Sequence, residues 1–273
     1  MSFKYQTEDD EQPEGKPVAQ PQKAPFPLYT TILIAAYTVV FFVEIGANLS
    51  PAIAFIDAHK AELPDSSNYW STVIDLCVDL SVAAAGFDKK AFLENHQYWR
   101  ILTGSALHGG ILHILFNSYA FYSFGRLIEM LSNRAHLAIV FLISCVGGDV
   151  LSLVFQPEGA SVGASGGIVG LIGYLAVYAF VRRDFISSQF RRSLLINIAF
   201  IIFYGVVLMS NVDNFAHIGG LLTGAIYAFI QIPRDPYSDP RAASPVTETL
   251  GLIAIGAYGA ICVFAVLLII RIV

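Results

Sequence analysis

The sequence predicts an all-α polytopic membrane protein, and two observations lead to that prediction. Hydrophobic residues make up 55% of the 273 residues and charged residues only 14%, whereas a soluble domain has about 45–50% and about 25%. Mostly apolar stretches also recur along the chain, and several approach the roughly 20 residues that a helix needs to cross a bilayer. This composition excludes a disordered chain and argues against a soluble globular domain.

Residues 1–27 differ from the rest of the chain. They contain five prolines and five clustered acidic residues and cannot bury enough apolar surface to fold, so we expect a disordered cytoplasmic tail. The stretch has neither the basic and apolar regions of a signal peptide nor the arginine-rich composition of a transit peptide. We therefore expect the tail to remain on the mature protein.

Seven segments after this tail are apolar enough to be candidate membrane spans. They are residues 28–49, 110–130, 135–155, 165–182, 194–210, 214–231 and 250–270. A further apolar stretch, 69–86, is interrupted by Asp75 and Asp79 one helical turn apart. That interruption favours an amphipathic helix lying in the membrane interface.

The short connections between the spans differ in charge. Residues 126–136, 182–193 and 232–249 together contain eight arginines, whereas 156–164 and 210–214 contain no basic residue. Basic connections stay in the cytoplasm. The amino terminus is therefore predicted inside and the carboxyl terminus outside.

This topology divides the chain into regions. A core of six spans covers residues 28–231, with the long 50–109 connection outside the membrane. A cytoplasmic linker, 232–249, precedes an additional span within 250–273. The net charge of −5 without a basic patch argues against nucleic acid as a partner, and the three cysteines show no pairing or metal spacing. The bilayer is the predicted partner, and the sequence does not define an oligomeric state.

Polar residues of three spans are predicted to meet at one depth in the outer leaflet. The second span enters from outside and carries His108, His113 and Asn117 in its outer half. The fourth span begins outside with Ser165, and the sixth begins outside with His217 about one turn deep. Polar and ionisable residues at such a depth are costly and usually mark a functional site.

Small residues predict close contact between the fourth and sixth spans, because they let two helix backbones approach. Glycines recur on one side of each span, at Gly166, Gly170 and Gly173 in the fourth and at Gly220 and Gly224 in the sixth. Such packing would bring the Ser165 hydroxyl to the His217 imidazole, as a nucleophile and its base. The free N–H groups at the start of the fourth span would suit a developing oxyanion.

The residues alone leave other interpretations open. The sequence Gly163-x-Ser165-Gly166 is also typical of small-residue helix packing, and a single histidine within a span is also typical of a hydrogen bond between helices. Asp213 lies one turn before His217. Either it completes a Ser–His–Asp triad, or Asp213 or Asn214 caps the sixth span, as Asp and Asn commonly do.

Three motifs in this order on alternate spans resemble those of the rhomboid intramembrane serine proteases. They are His113-Ile-Leu-Phe-Asn117, Gly163-Ala-Ser165-Gly and Ala216-His217-Ile-Gly-Gly220. Trp99-Arg100 in the external connection matches a further motif of that family. The resemblance covers roughly residues 98–230.

The resemblance implies a rhomboid-like six-helix core with one additional carboxyl-terminal helix, in a bacterial inner membrane. It implies a Ser165–His217 dyad that cleaves transmembrane segments of other membrane proteins, with no cofactor and no metal. His113, Asn117 and the Ser165 N–H would then form the oxyanion hole. The residues with a structural role near the site would be His108, Gly163, Gly166 and Gly220.

Two positions depart from the family pattern. Many members carry a Glu-x-Arg pair after the second span, but Glu129 has no arginine two residues later, and we expect it to pair with Arg126 or Arg134 instead. Some members place a tyrosine one turn after the nucleophile, where it stacks on the histidine; that position is Val169 here. Glu44, near the outer end of the first span, is expected to be solvated.

Other function classes fit less well. The sequence has no His-Glu-x-x-His zinc motif and no Gly-x-Gly-Asp motif of aspartyl intramembrane proteases. A transporter would show inverted repeats and broken helices, and the two halves of this chain do not correspond. The alternative is a catalytically inactive rhomboid-like protein that binds membrane clients, which would be expected to lack the serine or the histidine.

Substrate access is the last sequence-based expectation. Every carbonyl of an intact helix is bonded internally, so a substrate must unwind before Ser165 can attack it. We expect substrates to arrive sideways from lipid between the second and fifth spans. The aromatic residues predicted to close that seam are Phe116 on one side and Phe200, Phe203 or Tyr204 on the other.

Overall fold

The computed structural model describes residues 26–60, 68–203, 212–235 and 237–272, except for the side chains of residues 198 and 201–203. Within these residues the chain forms ten α-helices, one 3₁₀ turn and one pair of short strands. The helices are α1 (Leu28–Ala58), α2 (Tyr69–Ala85), α3 (Lys89–Glu94), α4 (Arg100–Thr103), α5 (Ile111–Leu131), α6 (Arg134–Phe155), α7 (Ser165–Val181), α8 (Ser188–Phe203), α9 (Asn214–Gln231) and α10 (Pro245–Ile269). The strands are β1 (Phe87–Asp88) and β2 (Ala160–Ser161), and the 3₁₀ turn is Gly104–Ala106.

The helical membrane fold is confirmed, with α1 and α5 to α10 at the seven predicted spans. Of the described helices, α1, α6 and α10 are long and apolar enough to cross a membrane, and α7 is a shorter apolar helix. The predicted interfacial segment forms α2. The tail up to residue 25, residues 204–210 of the fifth span, and with them Tyr204, lie outside the described residues.

The first helix is longer than predicted. It continues past residue 49 and through Pro51 to Ala58, so the 50–109 connection begins as helix. Its extension packs against α2, where Ala52 and Ile56 form a small buried cluster with Val73 and Cys77. Burial of these side chains explains why the helix does not end at the proline.

Helices α7 and α9 pack with their backbones in contact, as the glycine spacing predicts. A Cβ added to Gly220 would overlap the carbonyl oxygen of Gly166, and one added to Gly224 would overlap that of Gly170. On its other side α9 meets α6, where a Cβ on Gly148 would lie 2.6 Å from the Ala216 carbonyl oxygen. The helix that carries His217 is thus held between two neighbours.

The 50–109 connection folds back onto the helices through β1 and β2. The strands pair antiparallel, with Phe87 opposite Ser161. The buried Arg100 guanidinium donates to the carbonyl oxygens of Gly86 at 2.7 Å and Ala83 at 3.0 Å. Through the Arg100 guanidinium, the Trp99-Arg100 motif therefore connects the end of α2 with α4, which leads into the 3₁₀ turn.

Two carboxylates have partners that the sequence did not indicate. Glu129 accepts hydrogen bonds from the Thr30 N–H and hydroxyl, both at 2.7 Å, so its expected pairing with a nearby arginine is wrong. Glu44 is fully buried, and its Oε1 accepts the N–H of His108 at 3.3 Å. The expectation that Glu44 is solvated is wrong because the chain before α5 covers it.

The seventh span, α10, packs against the core helices α6 and α1. At the start of α10, Ser244 caps the helix, because its side-chain oxygen accepts the Thr247 N–H at 3.2 Å. A Cβ on Gly251 would lie 2.5 Å from the Cα of Ala135 in α6. The residues of α10 that face the core are Gly251, Ala254, Tyr258, Ile261, Cys262, Ala265 and Ile269.

Candidate active site

Ser165 and His217 are in hydrogen-bond contact. Ser165 is the first residue of α7, and His217 lies one turn into α9. The distance from Ser165 Oγ to His217 Nε2 is 3.0 Å, and both residues are half-buried. The fold therefore brings a hydroxyl within reach of a base at the point where α7 and α9 both begin.

The segment that presents Ser165 is fixed by Gly163. This glycine has φ of +118°, a backbone conformation that residues with a Cβ rarely adopt. Its N–H donates to the Gly104 carbonyl oxygen at 2.9 Å. A Cβ would also lie 2.7 Å from the His113 ring, so the position requires glycine on two counts.

Asp213 fixes the start of α9. Its Oδ1 accepts the Ala216 N–H at 2.9 Å, which confirms the predicted helix cap. Its Oδ2 accepts hydrogen bonds from the hydroxyls of Ser152 and Ser161 and lies 3.4 Å from Lys89 Nζ. The carboxylate thus joins α9 to α6, to β2 and to the 50–109 connection.

These contacts occupy both oxygens of Asp213. Burial acts to raise the pKa of this carboxyl, but its hydrogen bonds and the lysine outweigh burial and hold the pKa below the ordinary value. Within the described residues, Nδ1 of His217 is buried without a hydrogen-bond partner. The geometry is that of a charged helix cap, and it lacks the hydrogen bond to the histidine that a triad needs.

His113 and Asn117 lie on α5 facing the Ser165 segment. His113 Nδ1 accepts the Gly109 N–H at 3.1 Å, so in the neutral ring the proton is on Nε2, which can donate. The Nε2 atom lies 2.9 Å, and Asn117 Nδ2 3.5 Å, from the position of a Cβ on Gly163. Asn117 Nδ2 is buried with no partner among the described residues. Two donor nitrogens therefore lie beside Gly163, two residues before Ser165 in the chain.

His108 lies behind this site and is fully buried. Its ring packs 4.9 Å from that of Tyr37 and 5.4 Å from that of His113, centroid to centroid. Val169 is buried on α7, and within the described residues no aromatic ring contacts the His217 ring. Within the described residues, no other aromatic side chain therefore takes the stacking position that a tyrosine has in some members of the family.

Sequence reasoning missed Lys89, which is 1% exposed. A lysine in a connection between spans is usually solvated, as the neighbouring Lys90 is. Nothing in the adjacent sequence distinguishes the buried lysine from the exposed one. The available signal was Asp213, because a carboxylate at the edge of the membrane needs a cation or several donors. The strand pairing that buries Lys89 is non-local and leaves no spacing in the sequence.

The Rhomboid domain family matches residues 95–234, about half of the chain. The matched region contains the motifs around His113, Ser165 and His217. The chain belongs to the rhomboid family. This membership confirms the resemblance inferred from the sequence and agrees with a helical membrane fold.

Individual rhomboid relatives are also similar to parts of this chain. RHOMBOID-like protein 2 of Arabidopsis thaliana is 33% identical over 180 residues, which are 65% of this chain and 56% of that protein. Rhomboid protease GluP of Bacillus subtilis is 31% identical over 189 residues, 69% of this chain and 33% of that protein. Inactive rhomboid protein 1 of Papio anubis is 32% identical over 139 residues, 50% of this chain and 16% of that protein.

The rhomboid family therefore includes serine proteases and inactive members. The chain spans a little over half of the length of the plant relative and smaller parts of the other two. Membership in the family does not by itself assign an activity to this chain.

Proposed function

We propose that this rhomboid is an intramembrane serine endopeptidase that cleaves transmembrane segments of other membrane proteins with a Ser165–His217 dyad. The observation that carries the proposal is the 3.0 Å distance between Ser165 Oγ and His217 Nε2. A hydroxyl is a weak nucleophile unless a base accepts its proton as it attacks. The imidazole is within the distance that such a transfer needs.

In the proposed reaction, Ser165 Oγ forms a bond to the substrate carbonyl carbon while its proton passes to His217 Nε2. The electron pair of the carbonyl π bond moves to the oxygen. Collapse of this intermediate breaks the C–N bond, and the imidazolium returns the proton to the leaving amine. Water then releases the acyl group from Ser165 by the same steps, with His217 again as base.

The negative oxygen of the intermediate requires donors that are already in place. Nε2 of His113, Nδ2 of Asn117 and the N–H of Ser165 at the start of α7 are the proposed oxyanion hole. An unpartnered buried donor is costly in the resting protein. The Asn117 Nδ2 atom has no partner among the described residues, so it is free to donate to the oxygen of the intermediate.

We also propose that the topology follows the charges of the connections. The amino terminus then lies in the cytoplasm and the carboxyl terminus outside, in a bacterial inner membrane, with the catalytic core at 28–231 and the additional helix within 250–273. The site lies toward the external side, beneath the 50–109 connection. Water can reach it from that side without crossing the hydrocarbon.

The second candidate is an inactive client-binding rhomboid, and the relative named as inactive favours it. Against it stand the presence of both dyad residues and their contact at 3.0 Å. A protein that only binds clients has no need of a hydroxyl and an imidazole in this geometry. The two candidate functions differ in whether Ser165 Oγ is reactive.

A fluorophosphonate probe tests the proposal on the full chain in detergent micelles. The probe should attach to Ser165 of the wild type, because a base-activated serine attacks phosphorus whereas an ordinary serine does not. Mass spectrometry of the labelled peptide identifies the residue. Absence of labelling in a folded wild type would reject the protease proposal in favour of the client-binding candidate.

Matched variants complete this test. Ser165→Ala and His217→Ala should each abolish cleavage of a transmembrane substrate, and the double variant should have the same residual activity as either single one. Residues that act as one unit are not additive in this way. Retention of most activity by His217→Ala would reject the dyad.

A further inference from the structure

The inference concerns Tyr258, in the middle of α10. Tyr258 is fully buried, and its ring lies 5.0 Å from that of Phe141 in α6. Its hydroxyl donates to the carbonyl oxygen of Ser105 at 3.1 Å. A buried hydroxyl needs such a partner, but the partner here belongs to the 3₁₀ turn and not to a neighbouring helix.

The 3₁₀ turn in turn holds the segment before Ser165. Gly104, the residue next to Ser105, accepts the Gly163 N–H at 2.9 Å. Gly163 lies two residues before Ser165 and in contact with the His113 ring. Two hydrogen bonds to adjacent residues of one turn therefore connect α10 with the nucleophile segment.

The turn has little freedom to shift without moving this segment. A Cβ on Gly104 would lie 2.7 Å from Phe87 Cβ and 3.1 Å from the Ser161 carbonyl oxygen, so β1 and β2 cover it on one side. The Ser105 hydroxyl donates to the Leu102 carbonyl oxygen at 2.8 Å, which ties the turn to α4. Tyr258 supports the turn from the side of α10.

We propose that Tyr258 of the seventh span is a positioning residue for Ser165, acting through the hydrogen bond from its hydroxyl to the 3₁₀ turn. The inference rests on the proposed function. It makes α10 a part of the catalytic scaffold and gives the additional helix a role in the chemistry. Displacement of a reacting group by about 1 Å costs about 10²-fold in rate, so a shift of the turn would be visible in turnover.

The test is Tyr258→Phe, which removes one oxygen and keeps the ring in its packing. The full chain is assayed in detergent micelles for the rate of fluorophosphonate labelling at Ser165, and for kcat and KM with a transmembrane substrate. We expect labelling and kcat to fall by about 10- to 100-fold with KM within about twofold. The unchanged KM reports that the variant is folded and binds substrate.

Tyr174→Phe is the matched control. Tyr174 is also buried, and its hydroxyl bonds that of Ser132 at 2.6 Å, about two and a half turns along α7 from Ser165. This variant loses a comparable hydrogen bond and should label at the wild-type rate. Incorporation of 4-aminophenylalanine at position 258 keeps a donor in place and should restore the rate.

Wild-type labelling by Tyr258→Phe would overturn the inference and leave the dyad intact. An equal loss in Tyr174→Phe would also overturn it, because the effect would then be one of general stability. Equal rates for phenylalanine and 4-aminophenylalanine at position 258, both below the wild type, would reject the hydrogen bond as the cause. Absence of labelling in the wild type would instead overturn the proposed function, and this inference with it.

Discussion

At the scale of single residues, a substitution of Asn117 is the most direct way to distinguish a catalytic role from a packing role. The reason is that its Nδ2 is buried without a partner among the described residues. Asn117→Ala removes the donor and leaves little else unpaired. Loss of one oxyanion donor typically costs about 10²–10³ in turnover. We expect that loss in kcat, measured with a transmembrane substrate, with KM and melting temperature nearly unchanged. A loss matched by a fall in melting temperature would make Asn117 a packing residue.

Asp213 should behave in the opposite way. Asp213→Ala removes the cap of α9 and leaves the buried Lys89 without its carboxylate, and breaking a buried pair costs about 3–5 kcal/mol. We expect a large loss of stability in thermal unfolding, and little change in the Ser165 labelling rate per folded molecule. A fall of about 10³-fold or more in that rate at full folding would restore the triad interpretation.

The double variant Asp213→Ala with Lys89→Met is the control for this pair. It removes both charges, so no uncompensated ion remains buried. Much of the lost stability should return, while the cap itself, worth about 1 kcal/mol, should not. Equal stability of the single and double variants would show that the ion pair contributes nothing.

At the scale of helices, the contact between α7 and α9 depends on residues without side chains. Gly224→Ala would place a Cβ onto the backbone oxygen of Gly170, and overpacking of this kind costs about 1–3 kcal/mol. The variant should have a lower melting temperature, and labelling of Ser165 should weaken because the helices that carry Ser165 and His217 are forced apart.

Gly256→Ala in α10 is the matched substitution. Its added Cβ would meet nothing within 4 Å, and alanine favours a helix over glycine by about 0.5–1 kcal/mol. Its melting temperature should therefore stay the same or rise. Destabilisation by both variants to the same extent would show that the close contact with Gly170 does not set the effect of Gly224→Ala.

At the scale of the whole molecule, the proposed route of substrate entry predicts different effects on the cleavage of large and small substrates. Phe116 on α5 is 65% exposed and Phe200 on α8 is 60% exposed, whereas Phe203 and Tyr204 have no described side chains. Phe116→Ala together with Phe200→Ala should speed cleavage of a transmembrane substrate and leave hydrolysis of a small soluble ester unchanged. The reason is that only the former must pass between helices. Equal acceleration of both reactions would argue against lateral access at this seam.

The sequence predicts the local structure of this molecule well and its distant partners poorly. Apolar length and glycine spacing place the spans and bring α7 against α9, because both depend on a repeat along one helix. The buried state of Glu44 and the partner of Glu129 depend on residues 64 and 99 positions away. No local pattern encodes such contacts, since they form only when the chain before α5 and the start of α1 have packed.

The separation of the proposed dyad has a consequence for biosynthesis. Ser165 and His217 are 52 residues apart, on helices that are made at different times. At about 5–20 residues per second, the serine leaves the ribosome roughly 3–10 s before the histidine. During this interval its hydroxyl is an ordinary alcohol, so nascent chains arrested before residue 217 should not react with a fluorophosphonate. If the proposed dyad is correct, the newly made protein therefore gains its activity only once the helix that carries His217 has packed against the helix that carries Ser165.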